Sequence, residues 1–122
     1  MNVGYVVLYV DDAAACRRFW VEQVGMVVKR STPAGAFDVV QVGFADQAFA
    51  LELVPRALMA DNPDGLDMAT PSMCFHVDDL AGARERLVGA GVEATEINDH
   101  CGTLSFAFSD PEERWFAVIA RP

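Results

Sequence analysis

The sequence has few cysteines, few basic residues and no long apolar run, and each shortage excludes a class of protein. Its three cysteines, Cys16, Cys74 and Cys101, are odd in number and lack the spacing of a disulfide framework. No apolar stretch approaches the roughly 20 residues needed to cross a bilayer. The first residues lack the basic start and apolar core of a signal peptide. We therefore expect a cytoplasmic chain without disulfide bonds or membrane segments.

The shortage of basic residues also bears on partners. Nine Lys and Arg residues stand against 18 Asp and Glu residues, which gives a net charge of −9. Such a surface repels phosphate backbones and anionic lipids, so neither nucleic acid nor a membrane is an expected partner. Of the 122 residues, 52% are hydrophobic, enough for one globular domain with its own core. The simplest explanation of the acidic surface is solubility.

An internal repeat organises the chain. Leu8–Asp12 and Phe75–Asp79 both read apolar, aromatic, Val, Asp, Asp, and they lie 67 residues apart. An Ala- and Arg-rich amphipathic stretch follows each segment and ends at Gly25 or Gly91. Self-similarity on this scale indicates a duplicated supersecondary unit. We expect a single domain, 1–122, of two half-repeats at about 1–54 and 72–122, joined by a linker at 55–71.

The hydrophobic pattern predicts the same order of elements, βαβββ, in both halves. Asp11 or Asp12, and later Asp79, can cap the start of a helix, because their side chains accept hydrogen bonds from the first free backbone N–H groups. Gly25 and Gly91 then end the two helices. The helices are expected to run to about residue 24 and over 79–90. The predicted strands are 3–10, 26–31, 36–43, 47–54, 72–77, 92–97, 103–108 and 115–120.

Several segments match a known family. The first half opens with Tyr5-Val-Val-Leu-Tyr-Val-Asp-Asp and continues with Phe19-Trp20 and Val24-Gly25-Met26. The second half opens with Ser72-Met-Cys-Phe-His-Val-Asp-Asp-Leu. It closes with Phe106-Ala-Phe-Ser-Asp-Pro and Trp115-Phe-Ala-Val-Ile. This series covers nearly the whole chain and resembles the vicinal-oxygen-chelate superfamily of glyoxalases, bleomycin resistance proteins and dioxygenases. The resemblance implies an α+β fold of two paired βαβββ modules. Together they form an open eight-stranded sheet cup, with the helices outside and a ligand inside.

The resemblance also locates the metal ligands of the metal-dependent members, in which each module supplies a His on its first strand and a Glu on its last. These positions fall on Tyr5, Glu52, Ser72 and Ala117, of which only Glu52 keeps the ligand. A lone carboxylate does not hold a catalytic divalent cation against water, so the resemblance implies the metal-free branch, with no metal site and no cofactor. A bound divalent metal is the alternative. Glu113 also departs from the family, which usually has Gly there.

Strand alternation assigns side chains to the inner face of the expected cup. The ligand-binding residues predicted in this way are Tyr5, Tyr9, Phe37, Gln41, Glu52, Ser72, Cys74, His76 and Trp115, with His100 at the rim. A mostly apolar surface with a few convergent polar groups is typical of a small-molecule site. The alternative is that these side chains fill the interior against one another.

Two of these residues are candidates for chemistry. Glu52 and His76 are expected to form a pair, because a buried carboxylate without a partner is costly and an imidazole can donate a hydrogen bond to it. Such a pair can also act as a general base, but we favour structural pairing or ligand contact. Cys74 is expected to be a small buried apolar residue rather than a nucleophile.

The leading hypothesis is a metal-independent binding protein for an aromatic or largely apolar small molecule, with a role in antibiotic or toxin sequestration. The enzyme hypothesis is a lyase, isomerase or dioxygenase of the same superfamily, with Glu52 as base or an atypical metal set of Glu52, His76 and His100. A third hypothesis is an accessory or interaction module whose cup is packed shut. A two-fold symmetric homodimer is also expected, since the open sheet leaves strand edges that need a partner.

Overall fold

The computed structural model describes residues 1–122 and divides them into two compact units, Met1–Pro71 and Ser72–Pro122. Each unit holds one four-stranded sheet and one α-helix, which confirms the α+β class and the two βαβββ modules. The boundary falls where the second half-repeat is predicted to begin. No helix of the structure is both long enough and apolar enough to cross a membrane.

The first unit follows the predicted order. Its elements are strand β1 (Val6–Val10), helix α1 (Ala13–Arg18) with a π-helical continuation (Phe19–Val24), strands β2 (Val27–Ala34), β3 (Phe37–Gly43) and β4 (Leu51–Pro55), and a 3-10 helix (Arg56–Met59). The strand order in the sheet is β1-β4-β3-β2. Strand β1 runs parallel to β4, and the other neighbours are antiparallel. Strand β4 therefore lies between β1 and β3.

The second unit repeats this topology. It comprises strand β5 (Cys74–Val77), helix α2 (Leu80–Gly89) and strands β6 (Asn98–His100), β7 (Thr103–Ser109) and β8 (Trp115–Ala120), in the order β5-β8-β7-β6. The strand predicted at 92–97 is wrong. Only Ala94 bridges to Phe108 there, and the edge strand β6 begins at Asn98.

Both helices start as the sequence predicts. The Asp12 Oδ1 accepts a hydrogen bond from the Ala15 backbone N–H at 3.0 Å, and the Asp79 Oδ1 accepts one from the Gly82 N–H at 3.0 Å. At the end of the π-helical segment Gly25 has φ of 99°, a left-handed conformation that glycine adopts without a steric penalty. The paired aspartates are thus explained by capping at the second residue of each pair.

The turn between β2 and β3 lies later than predicted. The predicted strand ends at residue 31, but β2 continues through Pro33 and pairs Ala34 with Phe37. The two-residue turn is Gly35-Ala36, with Gly35 at φ of 61°, as in a type II′ hairpin. Strand β2 lies at the edge of its sheet, where a proline, which has no N–H to donate, is tolerated.

Burial alternates along the strands and separates two faces in each sheet. One face carries the core, including Leu8, Val10, Leu51 and Leu53 in the first unit and Phe106, Phe108, Phe116 and Val118 in the second. Helix α1 packs against β4, and α2 packs against β8. We call the other, less buried face of each sheet its open face. On the first sheet it carries Val7, Tyr9, Val39, Gln41, Glu52 and Val54, as the alternation predicts.

The turn from β7 to β8 is tightly bonded around one carboxylate. The Asp110 Oδ1 accepts hydrogen bonds from the backbone N–H groups of Glu112 and Arg114, both at 2.9 Å. The Asp110 Oδ2 lies 3.2 Å from Nη1 of Arg114, and these side chains are 0% and 6% exposed. Glu113 has φ of 63°, so it adopts the left-handed conformation for which the family's usual glycine is suited.

Candidate functional site

Glu52 occupies the centre of the open face of the first sheet. It sits on β4, with Val7 opposite on β1 and Gln41 opposite on β3. The Gln41 amide Nε2 donates a hydrogen bond to the Glu52 Oε1 at 3.2 Å, and both side chains are partly buried. The sequence predicted both residues for the site, and their hydrogen bond brings them together. It did not predict that they pair with each other.

Apolar side chains flank this pair on the same face. Tyr9 is opposite Val54 across the β1–β4 ladder, one alternate position along from Val7 and Glu52. No Lys, Arg or His of the first unit forms an ion pair with Glu52. Gln41 bonds one carboxylate oxygen, which leaves Oε2 able to accept a hydrogen bond from a donor. The face therefore presents an anionic acceptor flanked by Val7 and Val54, with the exposed Arg30 opposite Gln41 on β2.

Two aromatic side chains of the predicted set are well exposed in the same unit. Tyr5, just before β1, is 45% exposed, and Phe37, the first residue of β3, is 41% exposed. By strand alternation Tyr5 is on the same face of the sheet as Tyr9, and Phe37 is on the same face as Gln41. Exposed rings at both strand starts are surfaces on which a flat ligand can stack.

The register of the second sheet agrees with the positions assigned by resemblance. Cys74 is opposite Ala117, just as Val7 is opposite Glu52 in the first sheet, so Ala117 takes the place of the carboxylate. Ala117 is in turn opposite Ala107, where the first sheet has Gln41. The open face of the second sheet thus carries methyl groups where the first carries the hydrogen-bonded pair.

The remaining predicted residues lie in this second unit. Ser72, Cys74, His76, His100 and Trp115 are all exposed, and their contact with a ligand stays a prediction. The expectation that Cys74 is buried is wrong, because it begins β5 on the open face, away from the Phe75–Phe108 aromatic contact. The pairing of His76 with Glu52 also stays a prediction; within the first unit the partner of Glu52 is Gln41.

The residues at the four family metal positions do not fit a divalent cation. Ala117 has no donor atom, and Tyr5 and Ser72 replace the imidazoles. The one carboxylate, Glu52, already accepts an amide hydrogen bond. No group of three His, Cys, Asp or Glu side chains is placed to hold a metal ion. The absence of a bound metal in the protein itself stays a prediction.

A groove that sequence reasoning missed lies beside this face. It has a volume of about 390 Å³ and runs between β1 and residues 66–71 of the first unit. Val6, Val7 and Tyr9 line one side, and Leu66, Asp67 and Pro71 line the other. The sequence identified this stretch as a linker longer than most, and length was its only signal of function.

A comparison with protein families assigns the chain clearly. The model of the Glyoxalase/Bleomycin resistance protein/Dioxygenase superfamily matches residues 2–118. The protein YetH of Bacillus subtilis (strain 168) is 28% identical over 93 residues, which are 75% of this chain and 74% of YetH.

Solved structures show the same fold. TnmS3, an antibiotic binding protein from Streptomyces sp. CB03234, matches with a TM-score of 0.80 and 20% identity over 100% of this chain and 97% of its own. A member of the same superfamily from Sphaerobacter thermophilus DSM 20745 matches with a TM-score of 0.82 and 18% identity, over 99% of this chain and 98% of its own. At these identities the likeness is one of fold.

Proposed function

The chain belongs to the glyoxalase/bleomycin resistance protein/dioxygenase superfamily, and on that premise we propose that it binds a small apolar molecule through a hydrogen-bond donor or cationic group, without a metal ion. The role of such a protein is sequestration of an antibiotic or toxin. The site is the open face of the first sheet, with Glu52 as the polar anchor.

The observation that carries this proposal is the environment of Glu52. A partly buried carboxylate is hydrogen-bonded on one oxygen by Gln41 and has no cationic partner in its unit. Val7 and Val54 flank it on the same face, and Arg30 lies opposite Gln41 on β2. The exposed ring of Tyr5 lies two residues before Val7 on β1, and that of Phe37 lies four residues before Gln41 on β3, towards the other end of the sheet. A carboxylate in low-polarity surroundings interacts strongly with a donor that replaces its lost water. A protonated amine on an aromatic body satisfies both features.

The fold comparison supports binding as a function that this architecture can carry. TnmS3 is described as an antibiotic binding protein, and its fold matches the whole of this chain. Fold alone does not transfer a ligand, so the proposed chemistry rests on Glu52 and its neighbours.

The proposal is tested with three naphthalene probes that share one ring system and differ in charge: 2-naphthylmethylamine, 2-naphthylmethanol and 2-naphthoate. We expect calorimetric titration to give the order amine, then alcohol, then carboxylate. The amine should bind about tenfold more tightly than the alcohol, because its ammonium adds a charge–charge attraction to the hydrogen bond that both probes donate to the Glu52 carboxylate. Titrations at 150 mM salt screen the net charge of the surface.

Equal affinity for the three probes, or no binding of any, contradicts the proposal. Elemental analysis of the purified protein provides a separate check, and we expect no stoichiometric zinc, nickel, iron or manganese. One metal ion per chain, lost in Glu52→Ala, would favour the enzyme hypothesis instead.

We also propose that the chain forms a two-fold symmetric homodimer. Strand β2 is an eight-residue edge strand on which Val27 and Val28 are 42% and 38% exposed. The unpaired backbone N–H and C=O groups of an edge strand of this length can pair with another chain unless the edge is covered. Light scattering at micromolar concentration should give twice the chain mass of 13.3 kDa. A single chain mass at that concentration removes this claim.

A further inference from the structure

The groove beside β1 lies one strand away from the proposed polar anchor. Val7 lines the groove and is also the residue opposite Glu52 in the β1–β4 ladder. Neighbouring strands lie about 4.8 Å apart. A ligand whose donor group reaches Glu52 therefore has its next atoms at the mouth of the groove.

The outer wall of the groove is held by one side chain. Asn62 donates from Nδ2 to the Leu66 carbonyl at 2.9 Å and accepts on Oδ1 from the Leu66 N–H at 3.0 Å. The Asn62 carbonyl also accepts from the Gly65 N–H at 3.0 Å. An amide side chain that bonds both backbone groups of one residue acts like a strand partner. It fixes Leu66 in a segment that has no regular secondary structure.

The lining of the groove is mixed, with more apolar than polar residues. Val6, Val7, Leu66 and Pro71 are apolar, and Asp67 is the charged residue among them. No basic side chain lines the groove. Leu66 is 51% exposed, so a ligand body in the groove would remove apolar surface from water. The volume, about 390 Å³, falls within the usual range for small-molecule pockets.

From this geometry we propose that the groove is a subsite for the apolar body of a primary amine, and that Asn62 is the positioning residue that sets its width. The inference rests on the proposed function, because Glu52 anchors the amine. Charge complementarity supports this occupant, since Asp67 lines the groove, Glu52 lies on the strand next to its β1 wall, and no basic side chain lines it.

The test uses benzylamine, 2-naphthylmethylamine and 9-anthracenylmethylamine, which share the amine and add one ring at a time. In the unaltered protein, affinity should rise by about tenfold per added ring, because each ring buries further apolar surface. Leu66→Ala should flatten this rise and weaken the anthracene compound about fivefold. Leu58→Ala is the matched control, because Leu58 is an exposed leucine of the same unit outside the groove lining.

Two further variants separate positioning by Asn62 from a structural role. Asn62 has φ of 32°, so Asn62→Gly keeps the backbone conformation accessible while it removes both hydrogen bonds to Leu66. Asn62→Asp keeps the acceptor and loses the donor. We expect the increase in affinity for each added ring to be largest in the unaltered protein, intermediate in Asn62→Asp and smallest in Asn62→Gly. Benzylamine affinity should change less than twofold.

The outcomes distinguish the subsite from the proposed function. If the amines bind and Glu52→Gln weakens them, but the gain per ring is the same in all Asn62 and Leu66 variants, the subsite is wrong and the anchor stands. If no amine binds the unaltered protein, both are wrong. A loss in Leu58→Ala equal to that in Leu66→Ala also overturns the subsite. Melting curves of each variant confirm that the chain is folded.

Discussion

Asp110→Ala should lower the free energy of unfolding by about 3–5 kcal/mol, because it leaves two backbone N–H groups of the turn without an acceptor and removes a carboxylate paired with the buried Arg114 guanidinium. Glu112, whose Oε1 lies 3.3 Å from Nη1 of Arg114, remains as its second counter-charge. The Asp110 and Arg114 side chains are 0% and 6% exposed, and their charged atoms are 3.2 Å apart. The same carboxylate also accepts two backbone N–H hydrogen bonds in the β7–β8 turn. Chemical denaturation followed by circular dichroism measures the loss.

Two variants make this result specific. Asp110→Asn keeps an oxygen for both backbone donors and removes the charge, so it should destabilise less than Asp110→Ala. Asp78→Ala breaks the Arg121–Asp78 pair, whose side chains are 58% and 85% exposed, and should cost about 0–1 kcal/mol. If Asp110→Ala costs no more than Asp78→Ala, the turn does not depend on this carboxylate.

Local signals in the sequence were sufficient for much of the fold. The aspartates at residues 12 and 79 predict the helix starts, because each can accept a hydrogen bond from the backbone N–H three residues later, and both of these caps form. Alternation along a strand also identifies its buried face, because successive side chains point to opposite sides. Short edge strands were harder to predict. Strand β6 is three residues long, and nothing in the composition of 92–97 shows that this segment forms only an isolated bridge at Ala94 and that the regular strand begins at Asn98.

Tertiary features of the site could not be derived in this way. The sequence placed Gln41 and Glu52 on one face, but their hydrogen bond depends on the β3–β4 register, which no local pattern specifies. The burial of the Asp110–Arg114 pair could not be predicted from the sequence either, since charged residues in a turn are usually exposed. The groove required knowledge of how residues 66–71 return along β1.

Glu52→Gln should weaken binding of 2-naphthylmethylamine roughly tenfold while leaving the melting temperature nearly unchanged or slightly higher. Glutamine keeps an oxygen that accepts a hydrogen bond from the ammonium, but the variant loses the charge–charge attraction, which is about 1–4 kcal/mol at 4 Å near a protein surface and is partly offset by desolvation. Tenfold in affinity corresponds to about 1.4 kcal/mol. Stability is preserved because glutamine has the same volume and keeps an oxygen that can accept from Gln41. Removing a partly buried charge also relieves a desolvation cost.

The control for net charge is Glu85→Gln, which removes one negative charge from an exposed position on helix α2. It should change amine affinity less than twofold, because the charge of an exposed side chain is screened at 150 mM salt. The neutral probe 2-naphthylmethanol should lose less affinity for the Glu52→Gln variant than the amine does, since it loses only the charge assistance of one hydrogen bond, whereas the amine also loses a charge–charge attraction. If Glu52→Gln binds the amine as before but has a much lower melting temperature, Glu52 stabilises the sheet through its hydrogen bond with Gln41 and does not bind the ligand. The polar anchor of the ligand site would then have to be sought on another residue.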